Sequence, residues 1–167
     1  IPAFMLAYLA GLKAGAIVVS VNSIFKSEEV KYLLKDSGAK LVFTTAELLP
    51  NVPRKECPAL EKTVICEGKI ADEIVLGDWL AAGTPPLKTE NMAAGDPAVL
   101  LYSSGTTGFP KGVTLTHNNV ISNTRAGVNC SGHSSEDRLA IFLPLFHVFA
   151  QNYIMNAGFV AGATLVL

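Results

Sequence analysis

The chain has 167 residues, half of them hydrophobic and 16% charged, with a net charge of −1. A chain of this length can bury roughly 70% of its unfolded surface, so one domain with a large core is expected. There is no long basic run, and nothing favours nucleic acid as a partner, which normally needs a concentrated basic face.

The opening stretch, IPAFMLAYLAGLKAGAIVVSV, approaches the length of a membrane-spanning helix. Lys13 lies inside it, Gly11 and Gly15 interrupt it, and its tail is β-branched. A buried helix near Pro2–Ala14, a glycine stop and a core strand near Ala16–Val21 fit better, with no transmembrane segment. No basic start or cleavage site marks a signal peptide. A chain that opens in core-type sequence and closes on the strand-like ATLVL reads as a piece of a longer protein.

Ser27 reads as a helix N-cap, with Glu28 and Glu29 in the first turn, where the helix dipole favours anions. Val30, Leu33 and Leu34 form the apolar face, and Gly38 is the stop. Lys40–Thr45 reads as a strand, Pro50, Pro53 and Pro58 mark a loop, and Lys62–Cys66 is a further strand. A short helix is expected around Glu73–Ala82, with Trp79 as a core anchor. Gly83–Pro97 is a connecting loop and Ala98–Ser103 a buried strand. Gly112–His117 alternates like a strand, and Asn118 or Asn119 can cap a helix running to about Val128. A strand over Arg138–Pro144, a helix over Ala150–Val160 and a strand over Ala163–Leu167 complete the pattern. Strands separated by helices predict an α/β fold, with a layered, largely parallel sheet flanked by helices.

Cys57, Cys66 and Cys130 are odd in number and lack C-x-x-C spacing, so idle thiols in a reducing compartment are expected. His117, His133 and His147 are too scattered to make a metal cluster by themselves. The expected location is the cytoplasm, with peripheral membrane contact left open for the parent protein.

Between the strands at 98–103 and 112–117 lies SSGTTGFPKG. Ten positions hold two serines, two threonines, three glycines and one lysine. Such a loop has little side-chain volume and many N–H and O–H donors, which suits an oxyanion, and the lysine points to phosphate. The Walker pattern G-x-x-x-x-G-K-[ST] fails at two of its four fixed positions. Counted from Gly105, the second glycine is Pro110, and the residue after Lys111 is Gly112 rather than serine or threonine. Proline offers no N–H and pushes Phe109 toward extended geometry, and a strand follows instead of a helix. Gly105, Gly108 and Gly112 permit unusual dihedrals and close backbone approach. Successive N–H groups can form an anion nest. Ser103, Ser104, Thr106 and Thr107 add hydroxyls, one of which can face a metal ion.

YSSGTTGFPKGVTLTHNN resembles the phosphate loop of the adenylate-forming, AMP-binding superfamily. That superfamily includes acyl-CoA synthetases, firefly-type luciferases and peptide-synthetase adenylation domains. Its signature, roughly [ST]-S-G-[ST]-T-G-x-P-K-G, is matched by Ser103, Ser104, Gly105, Thr106, Thr107, Gly108, Pro110, Lys111 and Gly112. Ala7–Asn22 and Ser27–Thr45 resemble earlier family segments, with Ser23 at a common proline position. PLFHVFAQN, Pro144–Asn152, resembles the acyl-CoA ligase subgroup, with Ala150 at a usual glycine.

The resemblance implies a slice of the family's large N-terminal domain and a two-step reaction. A carboxylate, taken as a fatty acid, attacks the α-phosphate of ATP and releases pyrophosphate. The acyl-adenylate then reacts with coenzyme A. Ser103 to Gly108, Lys111 and Gly112 are implied to bind the β- and γ-phosphates, with Thr107 facing Mg²⁺. Lys111 is implied to meet charge on the departing pyrophosphate. His147 is implied to position the carboxylate and not to act as a base, because a carboxylate is already ionised at neutral pH. Phe142, Phe146, Phe149 and Tyr153 read mostly as core, with some lining an acyl channel, and His117 reads as structural.

The family's Y-G-x-T-E and T-G-D segments and its C-terminal domain do not appear in these 167 residues. The isolated chain is therefore expected to be inactive. Its unpaired strand edges should make it self-associate. The alternatives are a non-catalytic phosphate- or partner-binding module, or another adenylate-forming enzyme, luciferase-like or of the peptide-synthetase type.

Overall fold

The computed structural model describes residues 2–83, 88–103 and 110–167. Among them, α1 (Pro2–Lys13), β1 (Val18–Ser20), α2 (Ser27–Ser37) and β2 (Leu41–Thr45) open the chain. Two 3₁₀ turns, Leu49–Asn51 and Arg54–Glu56, lead to β3 (Lys62–Glu67), β4 (Ile74–Val75) and α3 (Leu76–Ala82). Then come β5 (Pro97–Ser103), β6 (Lys111–Thr116), α4 (His117–Ser131) and β7 (Arg138–Ala140). A π-helix (Phe149–Asn156), α5 (Ala157–Ala161) and β8 (Thr164–Val166) follow. No helix among the described residues is long and apolar enough to cross a membrane.

The fold is α/β and mostly parallel. Of the pairings among described strands, β1–β5, β2–β3, β3–β4 and β7–β8 are parallel, and only β5–β6 is antiparallel. The chain forms two compact units, Ile1–Ser20 with Thr89–Leu167, and Val21–Lys88.

In the first unit the sheet order is β1-β5-β6. Ala98 and Val99 are adjacent on β5 and both buried, so this strand is covered on both faces. Tyr8 from α1, Leu145 from a turn, and Ala150, Ile154 and Met155 from the π-helix complete the core. Fully burying one such aliphatic side chain stabilises by about 1.5–3 kcal/mol. The second unit holds the parallel sheet β2-β3-β4. Here α2 buries Val30, Leu33 and Leu34, the i, i+3, i+4 stripe expected of one helix face. It ends at Gly38, whose φ of 63° is left-handed.

Several local expectations change. Lys26, not Ser27, occupies the N-cap of α2, and its N–H donates to Glu29 Oε2 at 2.8 Å. The glutamate at the third helical position thus satisfies the cap backbone, which shifts the start by one residue. Thr116, not Asn118 or Asn119, caps α4. Its Oγ1 accepts from the Asn119 N–H at 3.1 Å, and Asn119 Oδ1 accepts from the Thr116 N–H at 3.0 Å. Strand β6 therefore ends before His117, and α4 continues past Val128 to Ser131 and the left-handed Gly132.

The expected helix at Glu73–Ala82 is shorter, because β-branched Ile74 and Val75 pair with Val64 and Ile65 as β4. Trp79 is 43% exposed and anchors no core. Strand β7 stops at Ala140, short of the Pro144 expected.

Candidate functional site

Strands β5 and β6 form the arms of a hairpin, and the phosphate-loop motif joins them. Their last described pair is Ser103 opposite Lys111, next to Tyr102 opposite Gly112. Directly opposed residues project to the same face of a sheet. Ser103 and Lys111 therefore sit on the same face of the hairpin, and both residues are exposed. A hydroxyl donor and a fixed positive charge on one face fit a polyphosphate. Ser104, Gly105, Thr106, Thr107 and Gly108 lie outside the described residues, and the expected Mg²⁺ contact of Thr107 falls with them.

Gly112 departs from the expectation of unusual dihedrals. It sits in regular strand register and is absent from the glycines with positive φ. Its smallness serves packing instead. A Cβ there would lie 3.2 Å from Leu100 Cδ1 and 3.4 Å from the Tyr102 ring. A side chain at 112 would press on the Leu100 and Tyr102 side chains of the strand that carries Ser103.

His147 belongs to the same unit but to a different element. Its N–H donates to Pro144 O at 3.0 Å, closing a turn that feeds the π-helix. Its Nδ1 accepts from the Phe149 N–H at 3.3 Å, so the imidazole caps a helix start. An Nδ1 that accepts leaves the neutral ring's proton on Nε2. The residue is exposed, so it can present Nε2–H as a donor.

A cleft of about 850 Å³ begins one residue later, at Val148. Leu115 of β6, Asn119 and Asn123 of α4, and Phe149, Asn152 and Tyr153 of the π-helix are among its walls. Strand β6 thus starts at Lys111 and ends at this cleft. Of the four aromatic residues expected to be mostly core with some lining a channel, three are exposed and two of those line this cleft. Phe142 is 76% exposed, and Phe149 and Tyr153 line the cleft as a stacked pair with ring centroids 4.9 Å apart. The Tyr153 hydroxyl is hydrogen-bonded to Ser131 Oγ at the end of α4.

Behind the cleft lies a polar network that sequence reasoning missed. Asn152 Oδ1 accepts from Thr124 Oγ1 at 2.6 Å and from Asn156 Nδ2 at 3.1 Å. Asn152 Nδ2 donates to Asn123 Oδ1 at 2.5 Å. Asn156 Nδ2 also donates to the Tyr8 hydroxyl at 3.1 Å. Burial pushes the Tyr8 phenol above its usual range, against the smaller lowering effect of the Asn156 bond. The adjacent Gln151 and Asn152 in an apolar helix were the available signal.

The cysteines are free, and burial raises the thiols of Cys57 and Cys66, which disfavours the thiolate. His117 is partly buried at the start of α4, and its Nε2 has no hydrogen-bond partner among the described residues.

The AMP-binding enzyme family model matches residues 1–167. The chain is 31% identical to 4-coumarate–CoA ligase 1 of Petroselinum crispum over 99% of its length, covering 31% of that protein. It is 30% identical to long-chain-fatty-acid–CoA ligase FadD13 of Mycobacterium tuberculosis over 98% of its length, covering 32% of that protein. The chain therefore spans about a third of the length of the curated relatives it matches. Among solved structures it resembles the anthranilate–CoA ligase AuaEII in complex with anthranoyl-AMP. There the TM-score is 0.89 at 30% identity, over 96% of this chain and 32% of that one. ATP-bound MatB from Rhodopseudomonas palustris gives a TM-score of 0.87 at 25% identity, over 98% of this chain and 32% of that one. Matched from end to end by the family model and folded like its solved members, this chain belongs to the AMP-binding enzyme family.

Proposed function

We propose that the protein carrying this chain is an ATP-dependent carboxylate–CoA ligase. A carboxylate oxygen attacks the α-phosphorus of ATP, and the bond from that phosphorus to the bridging oxygen of pyrophosphate breaks. The coenzyme A thiolate then attacks the acyl carbon, and AMP leaves. The observation that carries this reading is the Ser103–Lys111 pair at the mouth of the phosphate-loop hairpin. Negative charge grows on the departing pyrophosphate, and donors already aimed at that charge lower the barrier. Lys111 supplies the cation there, Ser103 and the loop hydroxyls supply donors, and Gly112 lets the strands close behind them. Mg²⁺, when bound, would neutralise phosphate charge, and Thr107 is the proposed contact. His147, through Nε2–H, orients the substrate carboxylate.

A fatty acid is the first substrate class read from the sequence. A second, an aryl carboxylate, is favoured by the stacked Phe149 and Tyr153 that wall the cleft with Val148, the residue after His147. The isolated 167-residue chain is proposed to be inactive and self-associating, and the whole protein to be cytoplasmic. Carboxylate-dependent exchange of labelled pyrophosphate into ATP tests the activity, with fatty and aryl acids compared. Exchange that needs a carboxylate, followed by AMP release on adding coenzyme A, supports a ligase. Phosphate binding with no exchange for any carboxylate supports a non-catalytic module instead.

A further inference from the structure

Gln151 is 2% exposed, yet it is a primary amide in an apolar core. Three of its hydrogen bonds lead to the turn that presents His147 or to the central sheet. The Gln151 N–H donates to His147 O at 3.0 Å. The side-chain Nε2 donates to Leu145 O at 3.3 Å, inside the same turn. That Nε2 also donates to Ser20 Oγ at 2.7 Å, and Ser20 is itself 6% exposed. Ser20 is the last residue of β1 and pairs with Leu101 on β5, two residues before Ser103.

One buried amide thus ties the His147 turn to the strand that leads into the phosphate loop. A buried polar group that serves only stability is a poor choice, since an apolar side chain of the same shape costs no donors. A fixed geometry between two parts of a site is a reason to keep one. We propose that Gln151 is a positioning residue that fixes His147 relative to the Ser103–Lys111 hairpin, through its bonds to Leu145 O and Ser20 Oγ. The proposal rests, for its catalytic consequence, on the ligase activity proposed above.

Two variants separate positioning from mere stability. Gln151→Met keeps the side-chain length and the backbone N–H but removes both side-chain bonds. Ser20→Ala removes only the anchor on β1 and serves if the first variant does not fold. The first readout does not need catalysis. Long-range ¹H–¹⁵N spectra of the imidazoles, taken above their titration range, report which nitrogen of His147 carries the proton. The unmodified protein should show the Nε2–H form alone, and each folded variant should show a mixture.

The second readout is carboxylate-dependent pyrophosphate exchange. Loss of positioning should raise the carboxylate KM about tenfold to a hundredfold and change the ATP KM by less than about twofold. A folded variant that keeps both the single tautomer and the carboxylate KM overturns the proposal. So does one that changes the tautomer but not the KM. If the unmodified protein shows no exchange, the ligase activity is what fails. The tautomer then decides alone whether Gln151 sets the His147 ring.

Discussion

The two compact units differ in the contacts between their polar side chains. In Val21–Lys88 the contacts between polar side chains include ion pairs near the surface, Lys31 with Glu28 and Glu56, Lys40 with Glu61, and Arg54 with the mostly buried Glu73, while the buried Thr63 hydroxyl has no partner among the described residues. In the other unit they are neutral amides and hydroxyls turned inward: Thr124, Asn152, Asn156, Gln151 and Ser20. Exposed ion pairs contribute little, because water screens them and the long side chains lose freedom. Inward amides are costly to disturb and admit few alternative arrangements. The second kind surrounds the candidate site, and it sits on a π-helix, a form that recurs at functional sites.

The largest effect should come from the inward network. Asn152→Leu leaves the buried hydroxyl of Thr124 without its acceptor and takes one of the two bonds of Asn156 Nδ2, with an apolar side chain set among polar ones. At about 1–3 kcal/mol per unsatisfied group, a loss of about 3 kcal/mol in unfolding free energy is expected. Urea titration measures it, and a loss under about 1 kcal/mol would put the two units on the same footing.

Next is the alkaline stability limit. Burial raises the Tyr8 phenol, so the folded protein holds that proton to higher pH than the unfolded chain. Stability from this group is complete below the unfolded value near pH 10 and falls as pH rises through the folded value. Thermal unfolding scanned upward in pH should show that decline. Tyr8→Phe should flatten it, and an unchanged slope would assign the decline to other groups.

The smallest effects belong to the other unit. Arg54→Ala breaks a 2.5 Å pair whose side chains are 46% and 14% exposed. It should cost about 0.5 kcal/mol, and less in high salt. Trp79→Ala should stay within about 0.5 kcal/mol, since the ring anchors no core. A cost of about 3 kcal/mol, typical of a core tryptophan, would restore the anchoring role that its hydrophobicity suggested.

What the sequence disclosed follows the same division. The stripe Val30, Leu33, Leu34 and the stop at Gly38 were readable because periodicity and a left-handed glycine are local signals. The hairpin around the motif was readable because a strand pattern flanks it on both sides. The caps were displaced by one to three residues because Glu29 and Thr116 compete with neighbours of equal capping ability. The π-helix was not legible. An extra residue in a turn leaves no clear periodic mark, and the meaning of Gln151 and Asn152 depends on Ser20 and Thr124, far away in sequence. Which of Phe142, Phe146, Phe149 and Tyr153 pack in the core and which line a channel was not legible, because hydrophobicity does not distinguish a packed ring from a cleft wall.

The central claim is that the hairpin ending in Ser103 and Lys111 handles the departing pyrophosphate. Carboxylate-driven pyrophosphate exchange in the Lys111→Ala enzyme tests it most directly, with folding checked by circular dichroism. Removing one preorganised partner of a developing charge should slow exchange about a hundredfold, or about 3 kcal/mol. Exchange at the unmodified rate in a folded Lys111→Ala enzyme would contradict it.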